Sequence, residues 1–214
     1  MCGRFCIAVS PGELKERYGI RPDPSYTPRY NISPGQEILV ITGRSPSRRG
    51  QLARWGIPLT DTGTIINARL ESLRTRHHFR DLFPANCCLV PASGYYEWKK
   101  EKSLRIPYYF FHPETSLLSF AGMYRCGPAG MEIAILTTTS VAPSHQIHDR
   151  MPVILAPGGE DAYLQSGAID VLQDQLSMRR VSTRVNQPGA EGPDLIREET
   201  PRSVQALLEG TEEG

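Results

Sequence analysis

The apolar residues of this chain come in many short runs, with proline or glycine between most neighbouring runs. With 18 prolines and 19 glycines in 214 residues, long helices have little room. Runs at 37–42, 51–57, 64–68, 89–91, 95–99, 107–111, 117–124, 132–138, 153–155 and 179–185 read as strands. Ser10 followed by Pro11 and Glu13 reads as a helix start, with Ser10 as N-cap and Glu13 closing a capping box, and that helix should stop near Gly19. Short helices are expected at 160–166 and 169–176, and 69–83 reads as a helical or irregular basic segment. The stretch 21–34 holds Pro22, Pro24, Pro28 and Pro34 and reads as a long ordered loop, and 43–50 as a basic turn. Many short strands with few helices imply an α+β or mainly β domain around one core.

Composition narrows the setting. Hydrophobic residues make up 39% and charged residues 22%, as in ordinary globular chains. No apolar run approaches the ~20 residues that span a bilayer, and the start lacks the basic-then-apolar pattern of a secretory signal, which points to the cytoplasm. Five cysteines are odd in number and lack C-x-x-C spacing, so neither a disulfide framework nor a metal site is expected. Charge is unevenly placed: residues 191–214 carry seven acids and two arginines, leaving +6 on the preceding body of a chain whose net charge is +1. A basic, arginine-rich body permits nucleic-acid binding without requiring it. No linker precedes about residue 186. The expected division is a domain over 2–187 and an acidic segment over 188–214 whose end is disordered.

The chemistry starts at Met1-Cys2-Gly3-Arg4-Phe5. Cysteine is small enough at the second position for ordinary removal of the initiator methionine. Cys2 would then carry an α-amine and a thiol on neighbouring carbons. The amine condenses with an aldehyde to an imine, and the thiol closes on the imine carbon to give a five-membered thiazolidine. An α-amine pKa of about 7.7–8.0 leaves roughly a tenth of it as free base at neutral pH, far more than a lysine offers. Four polar clusters, each among glycine, proline or aromatic residues at strand ends, accompany it: Asn67-Ala68-Arg69-Leu70-Glu71-Ser72, the 91–98 stretch ending in Tyr96-Glu97-Trp98, Thr137-Thr138-Thr139, and His148-Asp149-Arg150-Met151-Pro152.

Together with Tyr30-Asn31-Ile32-Ser33-Pro34, Arg54-Trp55-Gly56-Ile57-Pro58 and Ala121-Gly122-Met123-Tyr124, these motifs resemble, in order, the SOS-response-associated peptidase family. The resemblance implies a compact single α+β domain built round a barrel-like sheet, and members that shield abasic sites in single-stranded DNA. It also implies Cys2 as the nucleophile that traps the ring-opened sugar, Asn67 as the residue orienting the cysteine and the sugar, Glu97 as acid/base and His148 beside the sugar. Arg4, Arg69 and Arg150 fall in motifs whose arginines meet DNA phosphates, and Trp55 and Trp98 lie near the DNA path. The expected partner is thus abasic single-stranded DNA, met by a cytoplasmic, nucleoid-associated monomer without cofactor or metal. Strand cleavage and self-processing at Met1-Cys2 are further activities it implies.

Two positions depart from the pattern. Cys87 stands where the family usually has arginine, and the basic run at 74–78 ends in paired His77 and His78. His77 and His78 read as solvated and Cys87 as packing. Two other functions compete: a cysteine peptidase using Cys2 and His148, and a DNA-binding domain in which Cys2 does no chemistry.

Overall fold

The computed structural model describes residues 2–59, 63–172 and 175–199. Its strands are β1 (Phe5–Ile7), β2 (Arg29–Ile32), β3 (Glu37–Thr42), β4 (Arg49–Trp55), β5 (Ile57–Leu59), β6 (Gly63–Ile65), β7 (Asn67–Arg69), β8 (Cys87–Ala92), β9 (Gly94–Glu101), β10 (Leu104–Phe111), β11 (Leu118–Gly127), β12 (Gly130–Thr139), β13 (Arg150–Pro152) and β14 (Ser177–Arg180). The helices are α1 (Pro11–Tyr18), α2 (His77–Arg80) and α3 (Glu160–Ser166).

Five strands close into a barrel. The chain of pairings runs β11–β8–β3–β4–β12 and returns through β12 to β11, so no barrel strand presents a free edge over its paired length. The β4–β12 seam is parallel and the others are antiparallel. The three-residue β7 adds to β12 in parallel and β13 adds to it antiparallel, which brings the Asn67 and His148 segments to neighbouring parts of one strand.

A second, antiparallel sheet runs β14–β10–β9–β1–β2. Side chains alternate across it, as strand geometry requires. One face carries Phe5, Tyr95 and Phe110 into the main core. There Phe5 meets Trp55 edge-on at 5.3 Å and Phe120 at 6.1 Å, and Tyr95 stacks on Phe110 at 4.9 Å. The opposite face carries Cys6, Tyr96 and Tyr109 into a smaller core closed by Val181, Val185 and Leu195. At Gly94 a Cβ would lie 2.3 Å from the Phe110 carbonyl oxygen and 2.6 Å from the Tyr109 ring, so glycine permits the close crossing there.

Several local expectations hold. Ser10 and Glu13 form the reciprocal capping box of α1, Gly19 ends it in the left-handed conformation, and α3 covers 160–166. Others give way to tertiary pairing. The proline-rich stretch contains β2, because its Arg29–Ile32 end pairs with β1. No helix forms over 169–172: Ile169 and Val171 alternate with Asp170, and Val171 bridges Leu155, while 173–174 lie outside the described residues. The 153–155 run pairs only as isolated bridges. The last strand ends at Arg180, and a 3-10 turn over Thr183–Asn186 follows, with the Ser182 hydroxyl accepting the Arg184 amide.

Packing also continues beyond residue 187. Leu195 is fully buried, and the Glu191 carboxylate accepts the Tyr30 amide at 2.6 Å. The acidic segment is thus folded back on the second sheet through residue 199. Its expected disordered end lies outside the described residues.

Two substitutions separate these contributions. Phe120→Ala should cost about 3–5 kcal/mol, because it empties the junction between barrel and sheet. Ser10→Ala should cost about 1 kcal/mol through loss of the cap. Urea unfolding midpoints in that order support the packing described; a Ser10→Ala effect equal to or larger than the Phe120→Ala effect would contradict it.

Candidate active site at the amino terminus

Residue 2 reaches its place through the register of β1 on β9. Phe5 pairs with Tyr95 and Cys6 with Gly94, and the Tyr96 amide donates to the Arg4 carbonyl at 2.9 Å. The same register carried toward the N-terminus brings Gly3 across from Glu97. Since β1 begins at Phe5, the β9 edge beyond Tyr96 has no paired strand beside it.

Cys2 is fully buried, and its thiol donates weakly to the Arg4 carbonyl at 3.7 Å. From β7, the Asn67 amide nitrogen donates to the Cys2 carbonyl at 2.7 Å. The Asn67 Oδ1 is buried with no hydrogen-bond partner among the described residues. Burial pushes the Cys2 thiol far above its usual pKa, and the nearby Glu97 charge adds to the shift. The thiol is therefore protonated at neutral pH in this arrangement.

Glu97 is only 4% exposed, and burial pushes its carboxyl up to about 7. A carboxyl poised there can give or take a proton near neutrality. His148 approaches from the segment between β12 and β13. That segment is pinned by the Ser144 hydroxyl on the Tyr95 hydroxyl at 2.5 Å and by the Ser140 hydroxyl donating to the His148 carbonyl at 2.6 Å. His148 Nδ1 lies 3.0 Å from the Arg150 amide and 2.8 Å from Asp149 Oδ1. Burial lowers the ring's pKa, so neutral imidazole is favoured; Nδ1 then accepts the amide and the proton sits on Nε2.

Glu97 and His148 line one cavity of about 690 Å³ together with Gly3, Arg4, Trp98, Lys100, Arg105 and Asn186. Arg4 is held at one side: its Nη1 donates to Asn31 Oδ1 at 2.6 Å and to the Val185 carbonyl at 2.8 Å, and its guanidinium lies 5.9 Å from the Trp98 ring centre. The Trp98 indole donates to Asn186 Oδ1 at 2.6 Å, which fixes the ring at the cavity wall. Asn31, Asn186, Lys100 and Arg105 were not singled out as site residues from sequence. Their signal was weak: Asn31 sits in a recognised motif, but nothing local ties it to Arg4.

The remaining expected residues fall elsewhere. Trp55 is fully buried, donates its indole N–H to the Ile66 carbonyl at 2.8 Å and packs on Phe5. It has no face to offer a base, which corrects its placement on the DNA path; it supports the strand that carries Cys2. Arg150 is also not free to grip a phosphate. Its fork donates to both Glu71 oxygens at 2.8 and 2.9 Å and to the Thr137 carbonyl at 2.7 Å, and its side chain is 11% exposed. That pairing holds the Glu71 carboxyl at about 2. Arg150 therefore anchors the His148 segment to the loop after β7. Arg69 is exposed at the end of β7. His77 and His78 are exposed with ring centres 3.6 Å apart, and Cys87 is buried with its thiol on the Pro84 carbonyl. Among the described residues no group of three or more His, Cys, Asp or Glu is arranged to hold a metal, and no helix is long and apolar enough to cross a membrane.

Known proteins are similar to this chain. Residues 1–188 match the family model described as SOS response associated peptidase (SRAP). The abasic site processing protein YoqW of Bacillus subtilis is 34% identical, over 92% of this chain and 99% of its own length. The abasic site processing protein YedK of Escherichia coli is 26% identical, over 92% of this chain and 99% of its own. A crystal structure of a protein from Bacteroides thetaiotaomicron superposes with a TM-score of 0.80, at 20% identity, covering 93% of this chain and all of its own, and it shares the fold. On its sequence, this chain belongs to the SOS response associated peptidase family.

Proposed function

We propose that this protein senses abasic sites in single-stranded DNA and captures them covalently through Cys2 once Met1 is removed. The observation that carries the reading is the convergence on residue 2 of Asn67, which holds its carbonyl, and Glu97, whose charge adds to the burial that raises its thiol pKa, with Glu97 sharing a cavity with His148. The relatives named as abasic site processing proteins support it.

An abasic deoxyribose is mostly a closed hemiacetal. Protonated Glu97 gives its proton to the ring oxygen as the C1′–O4′ bond breaks, the carboxylate so formed takes up the proton of the anomeric hydroxyl, and the Nε2–H of neutral His148 donates to the sugar oxygen. The Cys2 amine then adds to the C1′ aldehyde, and loss of one water leaves an imine. The thiol sulfur closes on that carbon and its proton passes to nitrogen, completing the thiazolidine. A thiol that stays protonated until closure suits this order, since it withholds the sulfur from competing alkylation or oxidation. Arg69, Arg4 and Trp98 face the strand: arginine meets phosphate and the indole meets a neighbouring base. Arg150 acts through the segment it anchors. With no base to unstack, presenting the sugar costs little. One adduct needs one chain, so a cytoplasmic monomer suffices.

Strand cleavage follows from the same imine: loss of the C2′ proton expels the 3′ phosphate. Thiol closure competes with that elimination. Turnover of foreign peptides fits less well, because a peptidase needs a ready thiolate and burial opposes one here. Self-processing at Met1-Cys2 is compatible with capture, since it would release the amine.

Incubating Met1-free protein with an abasic single strand should give a heat-stable adduct. Cys2→Ala should lose it and cleave more of the strand through the surviving imine. An adduct that persists in Cys2→Ala would refute capture by the aminothiol. Glu97→Gln should slow adduct formation by about 10²-fold at neutral pH; an unchanged rate would remove Glu97 from the chemistry.

Glu97 also makes a prediction about stability. Its folded pKa of about 7 lies above the unfolded value of about 4.3, so folding binds a proton between them and stability falls as pH rises through that window. From pH 5 to 7.5, thermal midpoints should shift in favour of Glu97→Gln relative to wild type. Parallel curves would mean that Glu97 does not hold its proton.

A further inference from the structure

The outer end of the β9–β10 hairpin sets two cations against each other. Lys100 and Arg105 are direct partners in the antiparallel register, both are exposed, and both line the cavity that holds Glu97 and His148. Like charges directly opposite on paired strands destabilise the pair. The other face of the same strand shows how such a charge is usually met: Lys99 pairs with Glu101 at 2.7 Å. Lys100 and Arg105 have no acidic partner among the described residues. Trp98 lies two residues before Lys100 on the same strand face, and Glu97 is the sole acid lining this cavity among the described residues.

We propose that Lys100 and Arg105 together clamp one backbone phosphate of the strand beside the captured sugar. An arginine fork and a lysine point charge can share a phosphate, and its charge would relieve their mutual repulsion. The hairpin then sets how tightly the strand is held, while residue 2 sets whether it is captured. This rests on the reading of the site as an abasic-site trap and adds a DNA contact that the family motifs quoted above do not include.

The test uses the whole chain with Lys100→Gln and Arg105→Gln combined. Both positions are exposed, so the fold is not at stake. Equilibrium binding is measured to a single strand carrying a tetrahydrofuran abasic analogue, which has no aldehyde and forms no adduct. The double variant should bind about tenfold more weakly, and the slope of log affinity against log salt should fall by about 0.7, the value for one phosphate on a single strand. Restoring the charge with Lys100→Arg alone, against the wild-type Arg105, should keep the wild-type slope. Capture of free 2-deoxyribose, which has no phosphate, should be unchanged. Equal affinity and salt slope in wild type and double variant would overturn the clamp, and so would loss of deoxyribose capture in the variant. Failure of wild type to capture deoxyribose would instead count against the trap itself, and the analogue-binding arm would still decide the clamp.

Discussion

Everything at the site depends on one strand pairing. Three residues of β1, anchored by Phe5 between Trp55 and Phe120, fix the register that sets the chain's leading end beside Glu97. A one-residue slip would turn Phe5 out of the core and Arg4 into it, so burial of a single aromatic ring enforces the position of residue 2. The barrel contributes the other half. Its strand β12 carries β7 on one part and β13 on another, which brings Asn67 and the His148 segment to bear on the same point.

Desolvation then sets the chemistry. The same burial that keeps a proton on Glu97 near neutrality also keeps one on the Cys2 thiol, and it leaves His148 neutral. A carboxyl that can give and take a proton, a neutral donor and a latent nucleophile are thus poised at one pH. Around them the charge is positive. Arg4 is held through one nitrogen by Asn31 and Val185 and lines the opening together with Lys100 and Arg105. The C-terminal segment takes part too, since Val185 and Asn186 hold Arg4 and Trp98 and Leu195 seals the sheet beneath them.

Local signals were legible wherever local physics decides. The capping box of α1, the apolar run of β3 and the extent of α3 could all be read from a few neighbouring residues. The resemblance singled out Cys2, Asn67, Glu97 and His148, and the structure brings them to one region. Pairings between distant segments could not be read this way. Arg150 and Glu71 lie far apart in the chain, so nothing near Arg150 revealed that its fork is already occupied. Trp55 and Trp98 look alike as residues, yet Trp55 sits in a closed barrel strand and Trp98 on an edge that β1 leaves open. The helix expected at 169–176 does not form over 169–172 for the same reason, because Val171 bridges Leu155.

The trapping of an abasic sugar by the trimmed leading residue is tested most directly by peptide mapping of the adduct. Met1-free protein is reacted with an abasic single strand, digested with nuclease and protease, and read by mass spectrometry. The expected product is the peptide beginning at Cys2, carrying the sugar fragment less one water, with its amine closed to acylation and its thiol closed to alkylation. An adduct on a lysine or on another cysteine, or a Cys2 thiol that alkylates freely while the sugar is attached, would contradict it.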